Sequence, residues 1–404
     1  MSFQPADELV NADGWVPDFA PAEYEDRRAR LTKAMNGAGL DAIVVNNATT
    51  HRYLSGHTTR RWNNMSRPIL ALYTAASDCY VACSSVEAGM ARITGHNVTV
   101  IPFGGPGLSN DPAFDVVVDL VRDVLGSSPT IGYEGGNWLP YEVPEAEMAK
   151  FRGRTSHASH VDASELLWGL RLVKSEAEIA HLRTAAKINS SAFDKLYSAS
   201  LVGVREDEIY RRMASYLFEG GAEALGYISV TADPRATVWS GGFMYRKVAP
   251  RTALYVDSGC QVAGYWSDFC RLASNGPAPQ VSKDIVSKLG DVMAVTYEEV
   301  RPGRTWSEAY TAIEKRVVKI VPEFADPSNA VLGRFAHGIG MAMPEPPSLA
   351  LQEHAEIVAG TAMCVEPSLT HPDIGQMITE EMVVVRDHGC ELISDGTATT
   401  IREI

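Results

Sequence analysis

Asp257 and Asp268 lie in the stretch ALYVDSGCQVAGYWSDFCR, which reads as two strands folded back on one another. With a turn at Val262-Ala263, Gln261 faces Gly264, Gly259 faces Trp266 and Asp257 faces Asp268. That register sets two carboxylates opposite each other on one face of a hairpin, with Cβ atoms roughly 5 Å apart. Like charges at that range repel unless a cation lies between them. The pairing predicts a divalent metal site, so the rest of the chain has to bring further ligands to the same face.

It contains the groups to do so. AMCVEPS and MITEEMVVV read as a second pair of strands, and a mirror point near Asp373 sets Glu366 opposite Glu380. Between the two hairpins lies RFAHGIG, in which His337 is followed by glycines that let the backbone approach a site closely. Singly, each acid is an ordinary turn residue. Together, four carboxylates and one imidazole make the oxygen-rich ligand set of a two-metal hydrolytic centre.

The same positions carry a resemblance. VDSGCQVAGYWSDFCR resembles the D-x-G…G-Y-x-x-D-x-x-R segment of the pita-bread family, which includes creatinase, Xaa-Pro peptidases, prolidase and methionine aminopeptidase. His337 in HGIG, Glu366 in VEP and Glu380 in ITEEM follow in the family's order. The resemblance implies that Asp257, Asp268, His337, Glu366 and Glu380 are metal ligands, with Asp268 and Glu380 bridging two ions and Glu366 helping to take a proton from water. Creatinase itself lacks most of these ligands, whereas this chain carries all five and is expected to bind one or two divalent ions, Mn, Fe, Co or Zn. RLVKSEAEIAHLRTAAKI, residues 171–188, resembles the entry to the catalytic domain, and RPGRTWSEAY resembles a family turn between helices. The first of these also stands on its own residues: Ser175 and Glu178 form a capping box ahead of Ile179, Leu182 and Ala186 at helical spacing.

Two domains suit 404 residues of which 45% are apolar. AEYEDRRARLTKAMNGAG reads as a helix closed by glycines and LDAIVVNN as a buried strand; ILALYT, CYVACS and VTVIPF follow as strands and FDVVVDLVRDVLG as a helix. Residues 1–167 are therefore expected to form an α/β N-terminal domain. Residues 168–404 are expected to form an α+β pita-bread catalytic domain, in which helix pairs near 175–219 and 282–321 each precede strands that end in an acidic hairpin. That element order points to an internally duplicated architecture. A net charge of −14 with no basic stretch argues against nucleic acid as a partner. No apolar run reaches the roughly 18 residues of a membrane span. The N-terminus has no secretory pattern, and the six cysteines show no CxxC spacing, so a cytoplasmic enzyme with buried thiols is expected. The resemblance also implies a homodimer.

The chain departs from the peptidases at two places. HGIGMAMPEPPS puts Pro344 where Xaa-Pro peptidases carry a second histidine, although Glu345 is kept, and TADPRATVWSGGFMYRKVAP lacks a further expected histidine. These departures imply a substrate other than a standard Xaa-Pro peptide. RRWNNMSRPILALY resembles a creatinase element in which Arg67 matches an arginine gripping the substrate carboxylate, and MYRKV puts Arg246 in a second such context. A guanidinium clamps a carboxylate through two parallel hydrogen bonds. Trp62 and Trp239 are candidate pocket walls, and His371, between the two ligand strands, is a candidate replacement imidazole. The expected reaction is metal-dependent hydrolysis of a C–N bond in a small carboxylate-bearing substrate or short peptide. PRATVW and Trp62-Asn63 resemble dimethylsulfoniopropionate lyases of the same fold, which gives elimination as the alternative. A non-catalytic binding protein is the other alternative, and the five retained ligands oppose it.

Overall fold

A computed structural model describes residues 13–62, 67–104, 111–139, 142–232, 243–325, 333–372 and 374–404. The chain divides into two compact units, with the break between Arg171 and Leu172.

The N-terminal unit runs α1 (Pro21–Ala38), β1 (Ala42–Val45), α2 (Ala48–Ser55), β2 (Leu70–Thr74), β3 (Cys79–Ser84), α3 (Ala88–Thr94), β4 (Thr99–Phe103), α4 (Asp111–Val124), β5 (Thr130–Tyr133), α5 (Glu145–Arg154), β6 (Ser159–Asp162) and α6 (Ser164–Leu172). Helix α6 covers the stretch around Trp168 at which the sequence places a domain boundary. Proline at the start of α1 costs no helical hydrogen bond, and Gly39 ends the helix at a φ of 67°, in the left-handed region. The strands form one sheet in the order β4-β3-β2-β1-β5-β6. β1 is antiparallel to β2 and parallel to β5, and all four of its residues are buried, which is why it reads as an unbroken apolar run.

The C-terminal unit repeats one plan, a helix pair followed by a sheet. The first repeat is α7 (Glu176–Leu196), α8 (Glu206–Glu219), β7 (Ala224–Thr231), β8 (Ala253–Val262), β9 (Tyr265–Trp266) and β10 (Phe269–Ser274). The second is α9 (Gln280–Glu299), α10 (Trp306–Ile320), β11 (Ala336–Gly338), β12 (Glu345–Leu349), β13 (Ala362–Val365), β14 (Ser368–His371), β15 (Gly375–Ile378), β16 (Glu381–Arg386), β17 (Gly389–Leu392) and β18 (Ile401–Glu403). One sheet is ordered β18-β10-β8-β7 with β9 on β8, another β12-β11-β13-β16-β17, and β14 pairs with β15. Capping boxes start a helix in each pair, Ser175 with Glu178 on α7 and Thr305 with Glu308 on α10. Trp306 and Ile313 of α10 and Leu289 and Val292 of α9 belong to the apolar core behind β13 and β16, which contribute Met363, Val365, Val383 and Val385. All six cysteines are free.

The two hairpins differ in how their turns set register. β8 turns on Ala263 and Gly264, both at positive φ (50° and 83°), as two-residue turns that match the twist of a sheet require. Gln261 therefore pairs with Trp266 and Asp257 with Cys270, two positions away from the register that a Val262-Ala263 turn would give. Asp257 and Asp268 are diagonal neighbours on one face rather than direct partners. In the second hairpin Val365 pairs with Glu381 and Ser368 with Ile378, so Glu366 and Glu380 fall opposite one another as the sequence predicts.

Candidate metal centre

Five side chains converge from these strands. β8 supplies Asp257, the residue preceding β10 is Asp268, β11 supplies His337, and the residues after β13 and before β16 supply Glu366 and Glu380. All five are buried. His337 Nε2 lies 3.6 Å from Asp268 Oδ2 and 3.7 Å from Glu366 Oε1. One ligand atom from each of Asp268, His337, Glu380 and Cys364 lies within 4.8 Å of the other three. The Tyr227 hydroxyl ties Asp257 to the group, 2.6 Å from its Oδ2 and 3.0 Å from Asp268 Oδ1, and the Tyr255 hydroxyl donates to the same Asp257 oxygen at 2.9 Å.

Burial dominates the electrostatics. It raises the Asp257 carboxyl to about 6 and pushes Asp268 and Glu380 well above the usual range, with the neighbouring acids adding to the effect on both. Glu366 is raised as well, by burial, but the Arg334 guanidinium opposes this from 2.9 Å. Burial, with help from Arg334, lowers His337 to about 4, so its ring is neutral near pH 7. His337 Nδ1 lies 3.0 Å from the Gly338 carbonyl, which can only accept, so Nδ1 carries the proton. The Nε2 lone pair is thereby aimed at acid oxygens. Asp257 Oδ1 and Glu380 Oε1 are buried with no hydrogen-bond partner. Facing lone pairs in a buried site suit a divalent ion.

Sequence reasoning missed three contributors. Tyr255 is two residues before Asp257 on the same strand face, a spacing that could have revealed it. Tyr227 falls where β7 slips register against β8 between Leu225 and Ile228, and such a bulge re-aims side chains in a way alternation cannot foretell. Cys364 is the direct cross-strand partner of His337.

His371 pairs with Gly375 at the opposite end of β14–β15 from Glu366 and Glu380. The Arg246 guanidinium lies 3.0 Å from Glu206 Oε1. That carboxylate is fully buried and also accepts the amides of Ala232 and Met244, so Arg246 sits beside a buried acid, with its Nε and Nη2 making no hydrogen bond among the described residues. Glu345, kept from the peptidase motif, forms a buried ion pair with Lys174. Arg67 is half-buried in the N-terminal unit ahead of β2. Trp62, in the same unit, is buried, donates its indole N–H to the Asn46 carbonyl and packs against His51. Trp239, PRATVW and Asn63 lie outside the described residues.

Residues 180–387 match the family model described as metallopeptidase family M24, and residues 27–173 match the creatinase/prolidase N-terminal domain. The chain belongs to metallopeptidase family M24. Relatives of this M24 chain include an uncharacterized peptidase, YqhT, of Bacillus subtilis, 22% identical over 90% of this chain and 96% of its own. The Xaa-Pro dipeptidase of Lactobacillus delbrueckii subsp. lactis is 25% identical over 89% of this chain and 94% of its own. Among solved structures, the X-Pro aminopeptidase of Thermotoga maritima superposes with a TM-score of 0.78 at 18% identity, covering 93% of this chain and 99% of its own. The dipeptidase PepE of Mycobacterium ulcerans gives 0.77 at 21% identity, covering 96% and 98%. The fold is thus a creatinase-type N-terminal domain joined to an M24 pita-bread domain. Among the described residues, no helix is long and apolar enough to cross a membrane.

Proposed function

We propose that this M24 chain hydrolyses a C–N bond in a short peptide or small carboxylate-bearing compound, at one or two divalent ions held by Asp257, Asp268, His337, Glu366 and Glu380. The observation that carries this reading is His337, whose Nε2 faces Asp268 and Glu366 in a buried group that also holds the unpaired oxygens of Asp257 and Glu380. When bound, such ions supply a water of lowered pKa and positive charge for a carbonyl oxygen. Glu366, steadied by Arg334, is placed to take and return a proton. Tyr227 and Tyr255 fix the orientation of Asp257 without adding charge.

Relatives named dipeptidase and Xaa-Pro dipeptidase favour a dipeptide-sized substrate. Pro344, where an imidazole would stand in an Xaa-Pro peptidase, favours one other than a standard Xaa-Pro dipeptide. Arg67 and Trp62 remain candidates for substrate binding on the sequence resemblance, and a cytoplasmic homodimer is the setting proposed for the enzyme.

The test is metal analysis of the purified protein followed by a panel of Xaa-Pro dipeptides, N-substituted glycines and sulfonium propionates. Release of an amine supports hydrolysis, and release of an alkene replaces it with elimination. Full metal content in a variant carrying both Asp268→Ala and Glu380→Ala would overturn the ligand assignment.

A further inference from the structure

Cys364 is fully buried at the floor of the centre, on β13. Directly paired residues on antiparallel strands point to the same face, so the His337–Cys364 pairing sets the thiol beside the imidazole. Glu366, two residues on, shares that face. Cys364 Sγ donates weakly to the Asp268 carbonyl at 3.4 Å, so the thiol abuts the strand that bears another ligand. Its sulfur lies within 4.8 Å of ligand atoms on Asp268, His337 and Glu380, and Glu380 Oε1 is buried with no partner.

Zinc-like ions bind sulfur at about 2.3 Å and nitrogen or oxygen at about 2.0–2.2 Å in a tetrahedron, so donor atoms around one ion lie roughly 3.3–3.7 Å apart. The four ligand atoms all lie within 4.8 Å of one another, so gathering them round one ion asks for side-chain torsion on strands already in place. Burial and the surrounding acids hold the thiol's proton, so it is the ion's charge that would have to displace it, while the sulfur's present hydrogen bond is a weak one.

We propose that Cys364 supplies a thiolate donor to this centre, making it a mixed site of oxygen, nitrogen and sulfur that takes thiophilic ions such as Zn²⁺, Co²⁺ or Cd²⁺ in preference to Mn²⁺ or Mg²⁺. Binding would form the metal–sulfur bond and release the thiol proton to solvent. A soft donor among hard carboxylates shifts preference in that direction. The inference rests on the reading of the five residues as a metal centre. Cys270 supplies an internal control, since it pairs with Asp257 but directs its thiol at the Ile378 carbonyl.

The experiment is a Co²⁺ titration of the full chain after removal of metal by chelation. The expected result is stoichiometric binding with an intense sulfur-to-cobalt charge-transfer band in the near ultraviolet, lost in Cys364→Ser and kept in Cys270→Ser. Stoichiometric Co²⁺ without that band in the wild type, or a band that survives in Cys364→Ser, would overturn the thiolate and leave the metal centre standing. Failure of the wild type to bind Co²⁺ would overturn both. Should Cys364→Ser not fold, ¹¹³Cd NMR of the wild type decides: a resonance in the thiolate-ligated range supports the proposal, and one in the range of purely oxygen and nitrogen ligation overturns it.

Discussion

Replacing Tyr227 with phenylalanine isolates the part of the centre that the sequence did not reveal. The hydroxyl lies 2.6 Å from Asp257 and 3.0 Å from Asp268 but has one proton to give, so the change removes one donated bond, principally to Asp257. A hydrogen bond to a charged group is worth about 1.5–3 kcal/mol. Tyr255 still donates to the same oxygen, which places the loss near the lower end. Roughly 1.5–2 kcal/mol corresponds to about a 10- to 30-fold weaker ion affinity, within the 10–100-fold range typical of groups that orient metal ligands. The ring remains, so the strand packing that carries it is unchanged. Chelator-competition titration with Mn²⁺ and Co²⁺, read against the wild type, measures the effect. Affinity within twofold of wild type, or a gain, would refute the claim that this hydroxyl pre-organises the acids.

Arg246→Ala is expected to destabilise the C-terminal unit by roughly 2 kcal/mol, discounted for the arginine's partial exposure, because it strands Glu206; Arg67→Ala, if that residue grips substrate, should raise KM with melting unchanged. Calorimetry and steady-state kinetics on both variants separate the two roles, and a normal melting profile for Arg246→Ala would favour its substrate reading. Lys174→Met leaves the buried Glu345 without its counter-ion and should cost about 3–5 kcal/mol in urea denaturation; a loss under 1 kcal/mol would contradict the pairing. In the N-terminal unit, burial raises Glu134 from 4.5 to about 7, so the folded state holds its proton more tightly than the unfolded chain. That contribution to stability is present below pH 4.5 and is lost as pH rises through 7. Glu134→Gln should therefore flatten the decline in denaturation midpoint between pH 5 and pH 8, and an unchanged slope would exclude Glu134 as its source.

The convergence of the proposed ligands was legible because the acids lie on hairpins, where local pairing decides which groups meet. The Glu366–Glu380 pairing followed from a mirror point that the flanking strands obey on both sides. The Asp257 hairpin was placed two positions out because Gly264, which tolerates positive φ, takes the second turn position and draws Ala263 into the first. A shift of two keeps side chains on their face, whereas a shift of one would have turned Asp268 away, so the face survived the error. The surroundings of Arg246 were not legible for a different reason. Its partner Glu206 is remote in sequence, and no local pattern announces a buried acid that must be neutralised. Tyr227 was hidden by the irregularity of β7, and His371 was judged by its distance along the chain, which says little once β14 and β15 carry it away from the acids.

The unpaired oxygens of Asp257 and Glu380 also bear on how long the protein lasts in a cell. If the centre takes an ion as proposed, saturation at 100 times Kd adds about 2.7 kcal/mol to the folded state. Newly made chains would then divide between those that find an ion and those that open often enough to meet a protease. Under metal starvation the expected outcome is a falling protein level with unchanged synthesis, measurable by pulse-chase labelling with a chelator present. Idle, metal-free enzyme accumulating at normal abundance would show that this contribution is without consequence. Otherwise, the supply of the ion governs how much of this protein exists as well as how much of it works.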